Sequence, residues 1–263
     1  MLEVVILSVL QGVAEFLPIS SSGHLVLGKS LLGLGETGIR LDIFLHVGTL
    51  IAVFVFYWAI VWRLLRGVFA GGESARESWT YVLKIVLSAV PAGLVGVLFK
   101  DQLETAFASP KMVGGALIFT GIVLTATRFL PKGERDVSFG RAILMGLAQA
   151  IAILPGVSRS GMTLAAARAS KVDAEKSAEF SFLMSAPPIA GAALLEILKT
   201  LKSSSGVVAT SEVSWGLCAF GAVVAAVVGY YSLKFLLKSL KSDKFWMFGP
   251  YAALVGIVTL VVG

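Results

Sequence analysis

The chain has 263 residues, 57% hydrophobic and only 14% charged, with a net charge of +6. Soluble domains carry about a quarter charged residues, so a water-soluble protein is excluded, and a mean hydropathy of +0.88 marks an integral membrane protein. A net charge of +6 in such a chain concerns membrane topology, not nucleic-acid binding, and no nucleic-acid partner is expected.

In chain order, residues 2–17 and 21–33 read as two short helical arms broken at Pro18 and the serines after it. The start lacks the basic stretch and small-residue cleavage site of a signal peptide, so this first apolar run is expected to stay. Spans long enough for ~30 Å of hydrocarbon follow at 41–62, 79–99 and 112–130. A second broken pair, 139–153 and 160–170, is interrupted at Pro155-Gly156. Three further spans follow at 177–198, 213–233 and 246–262. The lone cysteine, Cys218, sits in an apolar stretch and reads as packing. No Cys/His spacing of a metal site and no Walker-type glycine loop occurs.

The two broken pairs carry the same text. QGVAEFLPISSSG at 11–23 and QAIAILPGVSRSG at 149–161 align without a gap at an offset of 138, matching Gln11/Gln149, Ser20/Ser158, Ser22/Ser160 and Gly23/Gly161. The register persists at Phe44/Phe182 and Ile51/Ile189. The expected fold class is an all-α polytopic membrane protein, one membrane domain over 1–263. It holds two inverted-topology repeats, 1–130 and 139–263, each a re-entrant helix-loop-helix plus three transmembrane helices. Three spans is an odd number, so the second half is inverted and its broken loop meets the first near the midplane. Broken helices are tolerated there only under cover of protein or a wet cavity. Lys and Arg decide the faces. Fourteen, among them Arg63, Arg66, Arg168, Lys241 and Lys244, fall on one side against six on the other. That side is then cytoplasmic, both termini lie outside, and the site opens to the outer face of the cell membrane.

Glu15 lies among Val13, Phe16 and Leu17, where a carboxylate costs a few kcal/mol without a partner or a task. It reads as metal ligand, general base or proton handler. Gln11, one turn earlier, is a tentative metal ligand or interhelical glue. Ser20, Ser21 and Ser22 open the second arm, and a helix start with free amides is an anion cradle. Ser21 and His24, three apart, form a candidate nucleophile and base. Arg159, between Ser158 and Ser160 and after Gly156, has a guanidinium fork that matches phosphate oxygens, with Thr163 one turn on. It is also a candidate partner for Glu15 across the repeats. Asp42 and His46, four apart, are tentative supporting residues for proton handling or metal. Glu179 and Glu196 are left unassigned.

QGVAEFLPISSSGH, LDIFLHVGT, PGVSRSGMT and FSFLMSAPPIAG together resemble the undecaprenyl-diphosphatase family, also called the bacitracin-resistance protein family, over nearly the whole chain. The resemblance implies hydrolysis of undecaprenyl diphosphate to undecaprenyl phosphate on the outer face, recycling the lipid carrier of cell-wall synthesis. It implies Glu15, Ser21 and His24 as catalytic, Arg159 as the diphosphate contact, and a divalent metal, Mg or Ca. Gln11 replaces the first acid of the family's (E/Q)xxxE motif, which weakens any two-carboxylate metal site. The SGH and SR elements also occur in type-2 phosphatidic acid phosphatases, but their nucleophilic histidine falls here on Ala165. The expected partners are a polyprenyl diphosphate lipid and the bilayer, with a homo-oligomer left open. The competing class is an inverted-repeat transporter or flippase of a polyprenyl phosphate lipid, which would not require the Ser–His–Glu–Arg group.

Overall fold

A computed structural model describes residues 1–34, 39–202 and 213–262. Among them every regular element is helical, and one isolated parallel bridge joins Arg135 to Val172. The first broken pair is α1 (Leu2–Ala14) and α2 (Ser21–Leu31). It leads into α3 (Ile39–Phe56), α4 (Trp58–Phe69), α5 (Gly72–Leu98), α6 (Lys100–Phe107) and α7 (Pro110–Ala126). The second pair is α8 (Phe139–Ile151) and α9 (Arg159–Ala169), followed by α10 (Ala174–Leu183), α11 (Ala186–Lys202), α12 (Trp215–Lys241) and α13 (Phe248–Val262). Serine sets several starts. Ser20, Ser109, Ser138, Ser158 and Ser214 each accept an amide three residues on, capping α2, α7, α8, α9 and α12.

Among the described residues four helical stretches are long and apolar enough to cross a bilayer: α5, Pro110–Phe129, α12 and Phe245–Val262. The first and fourth spans read from the sequence are not straight. The chain bends by 79° between Arg40–Phe56 and Trp58–Phe69, so 41–62 is one span only if the bend is included. Beyond Tyr57 the sequence suits a membrane surface rather than hydrocarbon, because Arg66 lies over the Trp62 ring and Trp62 stacks on Trp58. The stretch 177–198 breaks at Met184-Ser185 into α10 and α11. Pro187 has no N–H for the Leu183 carbonyl, and its ring would collide with that carbonyl in a continuous helix. The side chains of Glu196, Lys199 and Lys202 lie outside the described residues.

Small residues let the backbones approach. Gly114 meets Gly256, and Gly121 meets Gly249, so α7 and α13 run antiparallel. These helices are counterparts at the 138-residue offset. Gly12 of α1 abuts Ala225 and Val228 of α12, while Gly146 of α8 abuts Ser88 of α5. Thus each broken pair is clamped by a long helix of the other half. A core of Phe16, Phe182, Leu183, Leu233 and Leu236 fills the space between them.

Candidate active site

The two broken loops meet. A Cβ on Gly23, in the first turn of α2, would lie 3.4 Å from the Gly156 Cα of the other loop. Ser22 Oγ accepts the Gly156 amide at 3.4 Å, and Ser160 Oγ donates to the Leu17 carbonyl at 3.5 Å. Thr120 of α7 ties the second loop down, donating to the Gly156 carbonyl and accepting the Ser158 amide, both at 3.1 Å. Gly156 has φ +94°, and a Cβ there would sit 2.4 Å from the Val113 carbonyl, so only glycine fits. In the first loop the unusual residue is Ser20, with φ +71°. A left-handed non-glycine residue costs about 1–2 kcal/mol, and such strain concentrates at working sites.

Glu15 is the hub. Its Oε1 accepts Arg159 Nη2 at 2.5 Å, and its Oε2 accepts Ser21 Oγ at 2.7 Å and Gln11 Nε2 at 3.1 Å. His46 Nε2 stands 3.8 Å from the same Oε2. Ser21 and Arg159 occupy the same repeat position, so equivalent residues of the two halves take the two oxygens of one carboxylate. Glu15 is 8% exposed and Arg159 17%, so the charges are mutually neutralised in a largely buried setting. The guanidinium rests over Phe182, 5.6 Å from its centroid, and Phe182 packs on Phe16 at 5.4 Å. That platform aims the fork. Arg159 Nη1 is buried without a partner, a donor available to an incoming anion.

The structure brings together Gln11, Glu15, Ser21, His46 and Arg159. The hydrogen bonds of His24 run to other partners than Ser21. Its Nδ1 is bonded to the Ser20 carbonyl at 2.9 Å and its Nε2 to the Tyr251 hydroxyl at 3.0 Å. The expected Asp42–His46 pair is also different. His46 Nδ1 donates to the Asp42 carbonyl oxygen, while the Asp42 carboxylate holds Lys29 at 2.5 Å. Ser20 and Ser158 cap their own helices. Thr163 Oγ1 is taken up by the Arg159 and Ser160 carbonyls and by Ser181 Oγ. These hydroxyls shape the cradle.

Tyr251, Phe182 and Thr120 were not singled out from the sequence. Each acts only through a contact made at long range, leaving no local signal. Among the described residues no group of three or more His, Cys, Asp and Glu can hold a metal. The donors present are one carboxylate, the Ser21 hydroxyl and the Gln11 Oε1, which is buried without a partner. Mg²⁺ is commonly held by one or two carboxylates plus substrate phosphates. The set therefore fits a hard cation arriving on a diphosphate rather than a cage made by protein alone.

A family model described as "Bacitracin resistance protein BacA" matches residues 4–258. Similar curated proteins include an undecaprenyl-diphosphatase of Halothermothrix orenii, 38% identical over 99% of this chain and 97% of its own. Another, from Desulfatibacillum aliphaticivorans, is 40% identical over 99% and 98%. A third, from Bacteroides fragilis, is 37% identical over 99% and 97%.

Proposed function

The chain belongs to the bacitracin-resistance protein family, and from that premise we propose that it hydrolyses undecaprenyl diphosphate to undecaprenyl phosphate and inorganic phosphate, recycling the lipid carrier of cell-wall synthesis. The observation that carries this reading is the meeting of Ser21 and Arg159 on the two oxygens of Glu15, with Arg159 Nη1 left buried and unpartnered. A phosphoryl group needs mainly positioning and charge neutralisation. This cluster supplies both.

The protein is a multi-pass membrane protein. The finer topology proposed is two inverted repeats in one membrane domain. It is supported by the antiparallel packing of the counterpart helices α7 and α13 and by the exchange of α5 and α12 between halves. The basic bias of fourteen to six supports a cytoplasmic face opposite the termini, with the site opening outward.

In the resting site Glu15 and Arg159 satisfy each other. An entering diphosphate takes the fork through Nη1 and then Nη2, releasing Glu15 Oε1. Ser21 Oγ attacks the terminal phosphorus, its proton passes to Glu15 Oε2 along the existing 2.7 Å bond, and the bond to the bridging oxygen breaks. Undecaprenyl phosphate departs, and water hydrolyses the phosphoserine with Glu15 as base. His46, 3.8 Å from Glu15, exchanges the proton with it. A divalent cation held by Glu15, Gln11 Oε1 and the diphosphate would neutralise phosphate charge.

Phosphate release from a prenyl diphosphate by the purified protein in detergent tests the reading, since no membrane is there to cross. No release would leave the transporter class standing. Serine-bound phosphate in quenched enzyme, lost in Ser21→Ala, is expected. Turnover by Ser21→Ala with heavy oxygen from water entering phosphate would assign the attack to water.

A further inference from the structure

The bonds of His24 fix its protonation pattern. A carbonyl oxygen only accepts, so Nδ1, 2.9 Å from the Ser20 carbonyl, carries the hydrogen. Nε2 of the neutral ring is then a lone pair, and the Tyr251 hydroxyl at 3.0 Å donates to it. The two rings also stack, with centroids 5.7 Å apart and planes 14° apart. Both nitrogens are thus occupied, and the residue they lead to is Ser20, the left-handed N-cap of α2.

The second half is an internal control. At the 138-residue offset the counterpart of Ser20 is Ser158, with an ordinary φ of −75°. The counterpart of His24 is Met162, and that of Tyr251 is Val113. The second loop makes its tight turn at Gly156 instead, which glycine adopts freely. The histidine and the tyrosine hydroxyl meet only at the loop whose backbone is strained, the histidine coming from the first half and the tyrosine from the second.

We propose that Tyr251 is a positioning residue. Its hydroxyl locks His24 onto the Ser20 carbonyl, holding Ser20 left-handed and so keeping the Ser21 hydroxyl against Glu15. The proposal deepens the hydrolase reading and rests on it for its kinetic arm. Tyr251 is 45% exposed, so loss of its hydroxyl leaves no core cavity.

The experiment uses the full chain in detergent with ¹⁵N-labelled histidine. The chain has two histidines, so the His24 signals are assigned by their loss in His24→Gln. Wild type should show the Nδ1–H tautomer with Nε2 as a hydrogen-bond acceptor, and Tyr251→Phe should move the Nε2 shift toward that of a free lone pair. In Tyr251→Phe kcat should fall about tenfold, the rate equivalent of one hydrogen bond, with KM within about twofold. Glycine tolerates positive φ and caps nearly as well as serine, so in a Ser20→Gly background Tyr251→Phe should cost less than about twofold. An Nε2–H tautomer in wild type, an unchanged kcat in Tyr251→Phe, or an equal loss in both backgrounds would overturn the proposal. Wild type that releases no phosphate would sink the hydrolase reading, while the imidazole shifts would still decide the clamp.

Discussion

Glu15→Gln removes one charge and almost no volume from the centre of the site. The amide retains one oxygen, so it can still accept from Arg159 or from Ser21, but it cannot take a proton from Ser21 Oγ. Loss of a general base costs about 10²–10⁴ in rate. The same change leaves Arg159, 17% exposed, without its anion. Removing one partner of a buried pair costs ~3–5 kcal/mol, and partial access to water here places the cost at the lower end. For a chain of this size that is a melting-temperature loss of roughly 6–12 °C. Glu15→Asp separates the two effects. It keeps the negative charge near Arg159 but withdraws it by one methylene from Ser21, now 2.7 Å away. Phosphate release and thermal unfolding measured together should show Glu15→Gln inactive and destabilised, and Glu15→Asp inactive but close to wild type in stability. Inorganic diphosphate should recover part of the melting loss in Glu15→Gln, because it supplies Arg159 with an anion. Gln11→Ala removes one bond to Glu15 and should be milder in rate. Activity above about a tenth of wild type in Glu15→Gln would refute the assignment of Glu15 as base.

Arg159→Lys should lose at least about 10²-fold in kcat/KM, since an ammonium cannot present two parallel donors or lie flat over Phe182; full turnover would show that charge alone suffices. His46→Gln keeps a donor for the Asp42 carbonyl but cannot exchange a proton, so kcat should drop on the order of 10–100-fold, and an unchanged rate would remove His46 from the proton route. Gly48→Ala would place a Cβ 2.2 Å from the Ala222 carbonyl, forcing α3 from α12, and should lower the melting temperature by roughly 5 °C or more, whereas Gly93→Ala, with nothing within 4 Å, should not; equal effects would refute the packing argument.

Much of this was legible because membrane sequences advertise their exceptions. Pro18 and Pro155-Gly156 break apolar helices, and the serines after them cap new ones, so both loops and their convergence follow from local chemistry. Glu15 and Arg159 stood out because uncompensated charge is costly at depth, and each turned out to be the other's partner. Two of the six stretches read as spans are bent or broken. The Pro187-Pro188 pair was an available signal for the break before α11, and Trp58, Trp62 and Arg66 were one for a surface helix beyond Tyr57. The hydrogen-bond partners of His24 differ from the expected Ser21 for another reason. Three-residue spacing places it on the Ser21 side of a regular helix, but Ser20 is left-handed and the ring turns to Tyr251 on a helix 227 residues away. No window of sequence contains that contact.

A duplicated sequence would carry the same side chains twice, yet the counterparts of the acid and the histidines are lost from the second half. The counterparts of Glu15, His24 and His46 in the second half are Ile153, Met162 and Met184, all apolar. Gln149, the counterpart of Gln11, is the exception. It is 4% exposed, and both polar atoms of its amide lack a partner, whereas Gln11 at least reaches Glu15. With Ile153 in place of the acid, the amide has nothing to bond. A buried polar group without a hydrogen bond costs about 1–3 kcal/mol, and an apolar side chain of similar shape avoids that cost. Gln149→Met should therefore raise the melting temperature by roughly 2–12 °C and leave phosphate release near wild type. Thermal unfolding and the release assay check this together. A variant that melts lower, or that loses turnover, would show that Gln149 has work of its own and that the second half is not chemically silent.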